Sequence, residues 1–153
     1  MMYFAKGRFH VGNVSFALPD NCYLDPCPET EGTGVYIRSV ENDHYAIMVA
    51  AEHDEGNYQE SMQEFILQIS RNPIFADYTV NNLTGFSALY RSSHHQYFEV
   101  RFPAEDGGKN IMDGEEDNVV VFTITAKTKP SIETIVQYPM VQQLLSSFRR
   151  DEE

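Results

Sequence analysis

The chain has 153 residues, of which 42% are hydrophobic and 12% aromatic, a composition typical of one globular domain covering residues 1–153. Twenty-three acidic residues outnumber eleven basic ones, so the formal net charge is −12. This charge disfavours nucleic acids and anionic membranes as partners, and the longest apolar runs are too short to cross a bilayer.

The N-terminal region predicts a β-hairpin followed by a loop. Residues 8–11 and 14–18 are short strand-like runs on either side of Gly12-Asn13, a pair suited to a two-residue turn with positive φ. Residues 19–34 are rich in Pro, Asp, Glu and Gly, as loops are. The first seven residues lack the basic stretch and long apolar stretch of a secretion signal, so we expect a cytoplasmic protein.

The next segments predict two strands and an amphipathic helix. Residues 35–40 are strand-like, and residues 45–51 are apolar at successive positions, which predicts a central strand covered on both faces. A helix is predicted to begin after Asn57, a favourable N-cap, and to end before Asn72-Pro73. Its apolar residues recur at helical spacing: Met62, Phe65, Ile66 and Ile69.

The second half predicts a β-meander and a closing helix. Residues 78–83 and 86–91 flank an Asn-Leu-Thr-Gly turn, and residues 96–102 alternate apolar and polar side chains. A polar connection then leads to a well-covered strand at residues 119–126. From Ser131 the pattern becomes helical and restarts at Pro139, which predicts a broken helix.

These elements predict an α+β fold with one antiparallel β-sheet and helices on both of its faces, an α/β/α sandwich, because the double-sided strands require cover on both sides. Two sequence segments resemble the PsbP-like and Mog-type superfamily. They are Val-Ser-Phe-Ala-Leu-Pro at residues 14–19 and the closing helix from Tyr138-Pro139 to Ser147-Phe148-Arg149. The resemblance implies a PsbP-like fold and a binding role more often than an enzymatic one. The lipobox cysteine of the family's lipoproteins is missing, so membrane anchoring is not implied.

No residue pattern predicts catalysis, a metal or a cofactor. Adjacent side chains on an extended chain point to opposite faces, so His94 and His95 are poorly placed to bind one metal ion together. The pair is therefore interpreted as part of an exposed turn. The acidic loop at residues 105–117 offers oxygen ligands but does not follow the ligand order of an EF-hand. It is not a phosphate-binding loop either, because no Ser or Thr follows Lys109. Cys22 and Cys27 are expected to be reduced thiols in a cytosolic protein, whereas export with a removed signal would favour a loop-closing disulfide between them.

Function is therefore predicted from charge and exposed aromatic residues. The leading hypothesis is a non-catalytic protein-interaction module, monomeric or weakly dimeric, that binds a protein partner through an acidic surface, for which a basic protein would be complementary. Two alternatives remain: an immunity-type or inhibitor protein that neutralises a basic toxin or enzyme, and a small-ligand or metal-dependent enzyme with a pocket near His94, His95 or the acidic loop. The residues expected to bind the partner are Tyr23, Tyr58, Asp113, Glu115, Glu116 and Asp117.

Overall fold

The structure is a computed structural model and describes residues 2–26, 34–39, 44–104 and 117–151. Within these ranges it contains eleven strands and three helices. In chain order they are β1 (Met2–Ala5), β2 (Arg8–Val11), β3 (Val14–Phe16), β4 (Cys22–Pro26), β5 (Gly34–Ser39), β6 (Tyr45–Glu52), α1 (Tyr58–Leu67), β7 (Ile74–Val80), β8 (Leu83–Arg91), β9 (Gln96–Pro103), β10 (Val119–Ala126), α2 (Ile132–Val136), α3 (Pro139–Ser146) and β11 (Arg149–Arg150).

The strands form two antiparallel sheets. The larger sheet has seven strands in the order β4-β5-β6-β10-β9-β8-β7, and the smaller has four in the order β1-β2-β3-β11. In the larger sheet β6 and β10 are central, and Phe122 of β10 lies between Val49 of β6 and Val100 of β9. In the smaller sheet the last strand pairs with the third, so the C-terminal segment returns to the N-terminal hairpins.

The predicted α/β/α sandwich is wrong. The described residues are mostly strand, with two antiparallel sheets and only three short helices, so helices do not form two covering layers. The physical reason is that the N-terminal hairpins do not add to the main sheet. They build a second sheet, whose residues Phe9, Val11 and Phe16 enter the main core.

The main core lies between the two sheets and is closed by α2 and α3. The smaller sheet contributes Phe16, which stacks on Phe148 with ring centroids 5.1 Å apart. Phe148 also contacts Phe102 of β9 and Phe122 of β10, at centroid distances of 5.6 and 5.7 Å. Phe148 is fully buried and directly precedes β11, so its packing fixes where the C-terminal strand begins.

Helix α1 packs on the opposite face of the larger sheet, over β7, β8 and β9. Met62 and Ile66 are fully buried there against Phe86 and Tyr90. As predicted, Asn57 caps the helix, because its side chain accepts hydrogen bonds from the first-turn backbone amides. No helix within the described ranges is long and apolar enough to cross a bilayer.

Two tight turns lie at the same end of the molecule. Lys6 and Gly7 join β1 to β2 with φ of 55° and 76°, the double positive φ that a two-residue hairpin turn of type I′ needs. Asn81 begins the turn between β7 and β8 with φ of 52°, a conformation that Asn tolerates better than most residues. Both turns border the cleft described below.

Candidate binding cleft

A cleft of about 600 Å³ opens between the smaller sheet and the turn that joins β7 to β8. Its volume lies within the range of small-molecule binding sites, roughly 300–1,000 Å³. Four of its lining residues are Lys or Arg, and one is acidic. The lining consists of Tyr3, Ala5, Lys6, Arg8, His10, Asn81, Asn82, Arg149, Arg150 and Asp151.

The cations of this cleft differ from most arginines elsewhere in the described chain. Arg38, Arg91 and Arg101 each form an ion pair with a neighbouring carboxylate. In contrast, no carboxylate of the described residues pairs with the basic groups of Lys6, Arg149 and Arg150. The arginines at 149 and 150 are exposed. Among the residues that the structure describes, the cleft therefore presents basic groups without an acidic ion-pair partner.

Arg8 forms the floor of the cleft and is tied to the protein backbone. Its Nε donates to Ser15 Oγ at 3.0 Å, and its Nη2 donates to the carbonyl of Ser15 at 3.1 Å and to the carbonyl of Ser147. Burial lowers the pKa of Arg8 and the nearby Arg149 lowers it further, whereas Asp151 acts in the opposite direction. Two like charges thus lie close together, an arrangement that a bound anion would stabilise.

His10 and Asp151 line the cleft as a hydrogen-bonded pair. His10 Nδ1 lies 2.7 Å from Asp151 Oδ2, and His10 Nε2 lies 3.2 Å from the carbonyl oxygen of Ala5. The acidic residue of the lining, Asp151, is therefore hydrogen-bonded to His10.

Asn81 and Asn82 hold the C-terminal strand against the cleft. Asn81 Nδ2 donates to the carbonyls of Ser146 and Phe148, at 2.9 and 2.6 Å. Asn82 pairs with the backbone of Arg150 in both directions: its Nδ2 donates to the carbonyl and its Oδ1 accepts from the amide. These bonds fix the backbone that carries both exposed arginines.

The residues predicted to bind a partner are not brought together at this cleft. Tyr23 is 48% exposed on the edge strand β4, and Tyr58 is half-buried against the Met62 and Ile66 cluster under α1. Asp117 is only 4% exposed, so a partner would not reach its carboxylate without rearrangement. Asp113, Glu115 and Glu116 lie outside the described residues. The partner-binding set as a whole stays a prediction.

His95 lies at the predicted turn, which joins β8 to β9. Two hydrogen bonds close this turn. The backbone amide of His95 donates to Ser92 Oγ at 3.3 Å, and the Ser92 amide donates to the carbonyl of His95 at 2.9 Å. His95 and Tyr23 both line a second groove of about 500 Å³ at the end of the larger sheet. Within the described ranges no group of three His, Cys, Asp or Glu side chains is arranged to hold a metal ion.

One buried carboxylate of the larger sheet belongs to an ion-paired network. Glu99 is 5% exposed on β9, accepts a hydrogen bond from Tyr90 Oη at 3.1 Å and pairs with Arg101 Nε at 2.6 Å. Burial raises the pKa of Glu52 at the edge of this network, and Arg101 opposes the change. A carboxylate that is held by a tyrosine and an arginine stabilises the sheet and is poorly placed to accept a substrate proton.

Comparison with known proteins identifies no family. No protein-family model matches the chain, and no curated protein is significantly similar to it. The resemblance to the PsbP-like and Mog-type superfamily is therefore still a prediction.

The sequence contains one signal for this cleft. Arg149-Arg150 is a rare basic pair in an acidic chain, and Lys6 and Arg8 are another basic group near the N-terminus. Nothing in their spacing shows that these two groups, more than 140 positions apart, meet. That information comes from the pairing of Arg149 with Ser15 and of Arg150 with Val14 across β11 and β3.

Proposed function

We propose that the protein is a non-catalytic binding protein whose cleft takes a small anionic ligand with phosphate or carboxylate oxygens. The observation that supports this function is the concentration of basic residues: four of the eleven Lys and Arg residues of a chain with net charge −12 line one cleft. Guanidinium groups bind such oxyanions with two parallel hydrogen bonds, which gives both affinity and orientation.

Among the described residues that line the cleft, four are basic and one is acidic. A unit charge about 4 Å from an opposite one gains about 4 kcal/mol at an effective dielectric constant of about 20, as near a protein surface. Exposed charges more than about 8 Å from a ligand are largely screened at physiological ionic strength. An anionic ligand inside the cleft would therefore interact mainly with the charged groups of the lining.

The shape of the cleft favours a small ligand over a large protein partner. A volume of about 600 Å³ is sufficient for a molecule of drug size, and the lining alternates charged groups with the ring of Tyr3 and the methyl group of Ala5. The floor is rigid, because Arg8, Asn81 and Asn82 are each held by hydrogen bonds to backbone. A rigid site loses little conformational entropy on binding.

Calorimetric titration tests this function. Inorganic phosphate, pyrophosphate and citrate are titrated into the wild type, into the double variant Arg149→Gln/Arg150→Gln and into Arg71→Gln. Arg71 is a suitable control because it is exposed and lies outside the cleft. We expect at least one of the anions to bind the wild type and the control equally, and the double variant to bind at least tenfold more weakly, a loss of about 1.4 kcal/mol.

The three probes also separate the possible sources of the anionic group. Stronger binding of phosphate and pyrophosphate would indicate a phosphorylated ligand, whereas stronger binding of citrate would indicate a polycarboxylate. Absence of binding by all three, or equal binding to the wild type and the double variant, would refute the proposed function.

The acidic-surface interaction module and the immunity-type protein remain predictions with a separate test. Both require a protein partner that associates more slowly as salt increases, since exposed charges are screened. Neither depends on Arg149 or Arg150. Salt-insensitive partner binding would contradict both.

A further inference from the structure

We infer that the ligand of the cleft carries a planar ring beside its anionic group, as a nucleoside phosphate does, and that Tyr3 stacks on that ring. This inference rests on the proposed function, because the cleft must first bind an anion. It specifies the planar ring of the ligand, whereas the basic residues specify only its anionic group.

The first observation is a fixed aromatic platform at the cleft. Tyr3 on β1 and His10 on β2 are directly opposite in the hairpin register. Their rings are nearly parallel, with an interplanar angle of 6° and centroids 4.7 Å apart. This stack sets the plane of the Tyr3 ring before any ligand arrives, so little side-chain entropy is lost on binding.

The second observation is that His10 itself is held in place. One ring nitrogen is bonded to Asp151 and the other to the carbonyl of Ala5. His10 therefore cannot rotate away without breaking two hydrogen bonds. The platform is supported from the protein side, as a stacking site for a flat ligand should be.

The third observation is the exposure of Tyr3 next to cations that have no ion-pair partner among the described residues. Tyr3 is 46% exposed although one side of its ring lies against His10, and it lines the same cleft as Lys6 and Arg149. Proteins that bind single-stranded nucleic acids combine the same two features, aromatic side chains on which bases stack and basic residues that contact phosphates. Such a ligand would place its ring on Tyr3 and its phosphates on the arginines.

The chain provides a matched control for Tyr3. Phe4 is the next residue of β1 and is also exposed, at 62%, but it does not line the cleft. Loss of an exposed aromatic side chain from β1 can therefore be separated from loss of the platform. Tyr3→Phe keeps the ring and removes only the hydroxyl group.

The experiment compares adenosine diphosphate with pyrophosphate by calorimetric titration. In the wild type we expect adenosine diphosphate to bind about tenfold more tightly, because its base stacks on Tyr3. Tyr3→Leu should remove this difference. Tyr3→Phe and Phe4→Leu should both retain the difference.

Three results would overturn the inference without affecting the proposed function. The first is equal affinity of adenosine diphosphate and pyrophosphate for the wild type. The second is an advantage of adenosine diphosphate that survives in Tyr3→Leu. The third is binding of citrate but of neither phosphate compound, because the cleft would then select carboxylates. If no anion binds at all, the proposed function fails with it.

Discussion

Arg8 and Arg149 have the same side chain at the same cleft, yet their guanidinium groups have different partners. Arg8 donates three hydrogen bonds to Ser15 and Ser147, and Ser15 is fully buried. Arg149 is exposed and has no acidic partner among the described residues. Arg8 therefore stabilises the cleft, and under the proposed function Arg149 would contact the ligand.

This difference predicts that the same substitution affects protein stability strongly at position 8 and weakly at position 149. Arg8→Gln should lower the free energy of unfolding by about 2–3 kcal/mol, because Ser15 and the Ser147 carbonyl lose a charged donor in a partly buried place. Arg149→Gln should change the free energy of unfolding by less than about 0.5 kcal/mol, as is usual for exposed positions. Urea unfolding of both variants measures the two free energies. Similar losses in the two variants would contradict the assignment.

Tyr45 provides a prediction for alkaline pH. Burial raises its pKa to about 12, and Cys22 and Tyr138 add to the increase. In the unfolded chain a tyrosine ionises near pH 10. The contribution of the neutral phenol to stability is therefore complete below about pH 10 and is lost as the pH rises through about 12.

Phenolate absorbance during an alkaline titration reports this group. The Tyr45→Phe variant should lack an ionisation step near pH 12 that the wild type shows, and it should lose less stability than the wild type above pH 10. Tyr23→Phe is the control, since Tyr23 is exposed, and should retain that step. An unchanged titration in Tyr45→Phe would show that the phenol is not buried as described.

At the scale of elements, Gly85 allows β8 and β9 to lie close together. A Cβ atom at this position would lie 2.7 Å from Phe102 Cδ1 and would also overlap the carbonyl oxygen of Arg101. A backbone carbonyl in a sheet cannot move aside without breaking its ladder. Gly85→Ala should therefore lower the free energy of unfolding by about 3 kcal/mol, the upper part of the range for overpacking.

Gly56 is the matched control for this substitution. Nothing lies within 4 Å of a Cβ atom built there. Gly56→Ala should leave the free energy of unfolding nearly unchanged in the same urea experiment. Equal effects of the two substitutions would mean that backbone entropy, rather than contact with β9, determines the result.

Several elements were predictable because their signals are local. The Gly12-Asn13 hairpin, the central strand Tyr45–Glu52 and the helix capped by Asn57 all appear where the pattern indicated. The break at Pro139 is also confirmed, since α2 ends just before it and α3 begins there. In each case turn chemistry, capping or hydrophobic periodicity determines the element within a few residues.

Other elements depend on distant partners and were missed. The strand Arg149–Arg150 has two charged residues and exists because it pairs with β3. The edge strand Cys22–Pro26 lies in a segment whose prolines predicted a loop, and Pro26 is tolerated at the end of an edge strand. The turn after β7 uses Asn81-Asn82 rather than the predicted Asn-Leu-Thr-Gly. Without these pairings the second sheet, and hence the cleft, could not be predicted.

At the scale of the whole molecule, net charge and local charge differ in sign. The predicted acidic surface follows from a sum over 153 residues with a net charge of −12. The cleft follows from folding, which brings the two ends of the chain together and concentrates four basic residues there. A binding site of either sign is compatible with the composition, so the sign of a site must be read from the fold.

Nuclear magnetic resonance titration of uniformly ¹⁵N-labelled protein with pyrophosphate would show whether the basic cleft binds anions. If it does, amide shift changes should cluster at residues 3–10, at Asn81 and Asn82, and at residues 149–151. The Arg149→Gln/Arg150→Gln variant should weaken these changes. Changes centred on the groove lined by Tyr23 and His95, or no saturable changes anywhere, would contradict anion binding at the cleft.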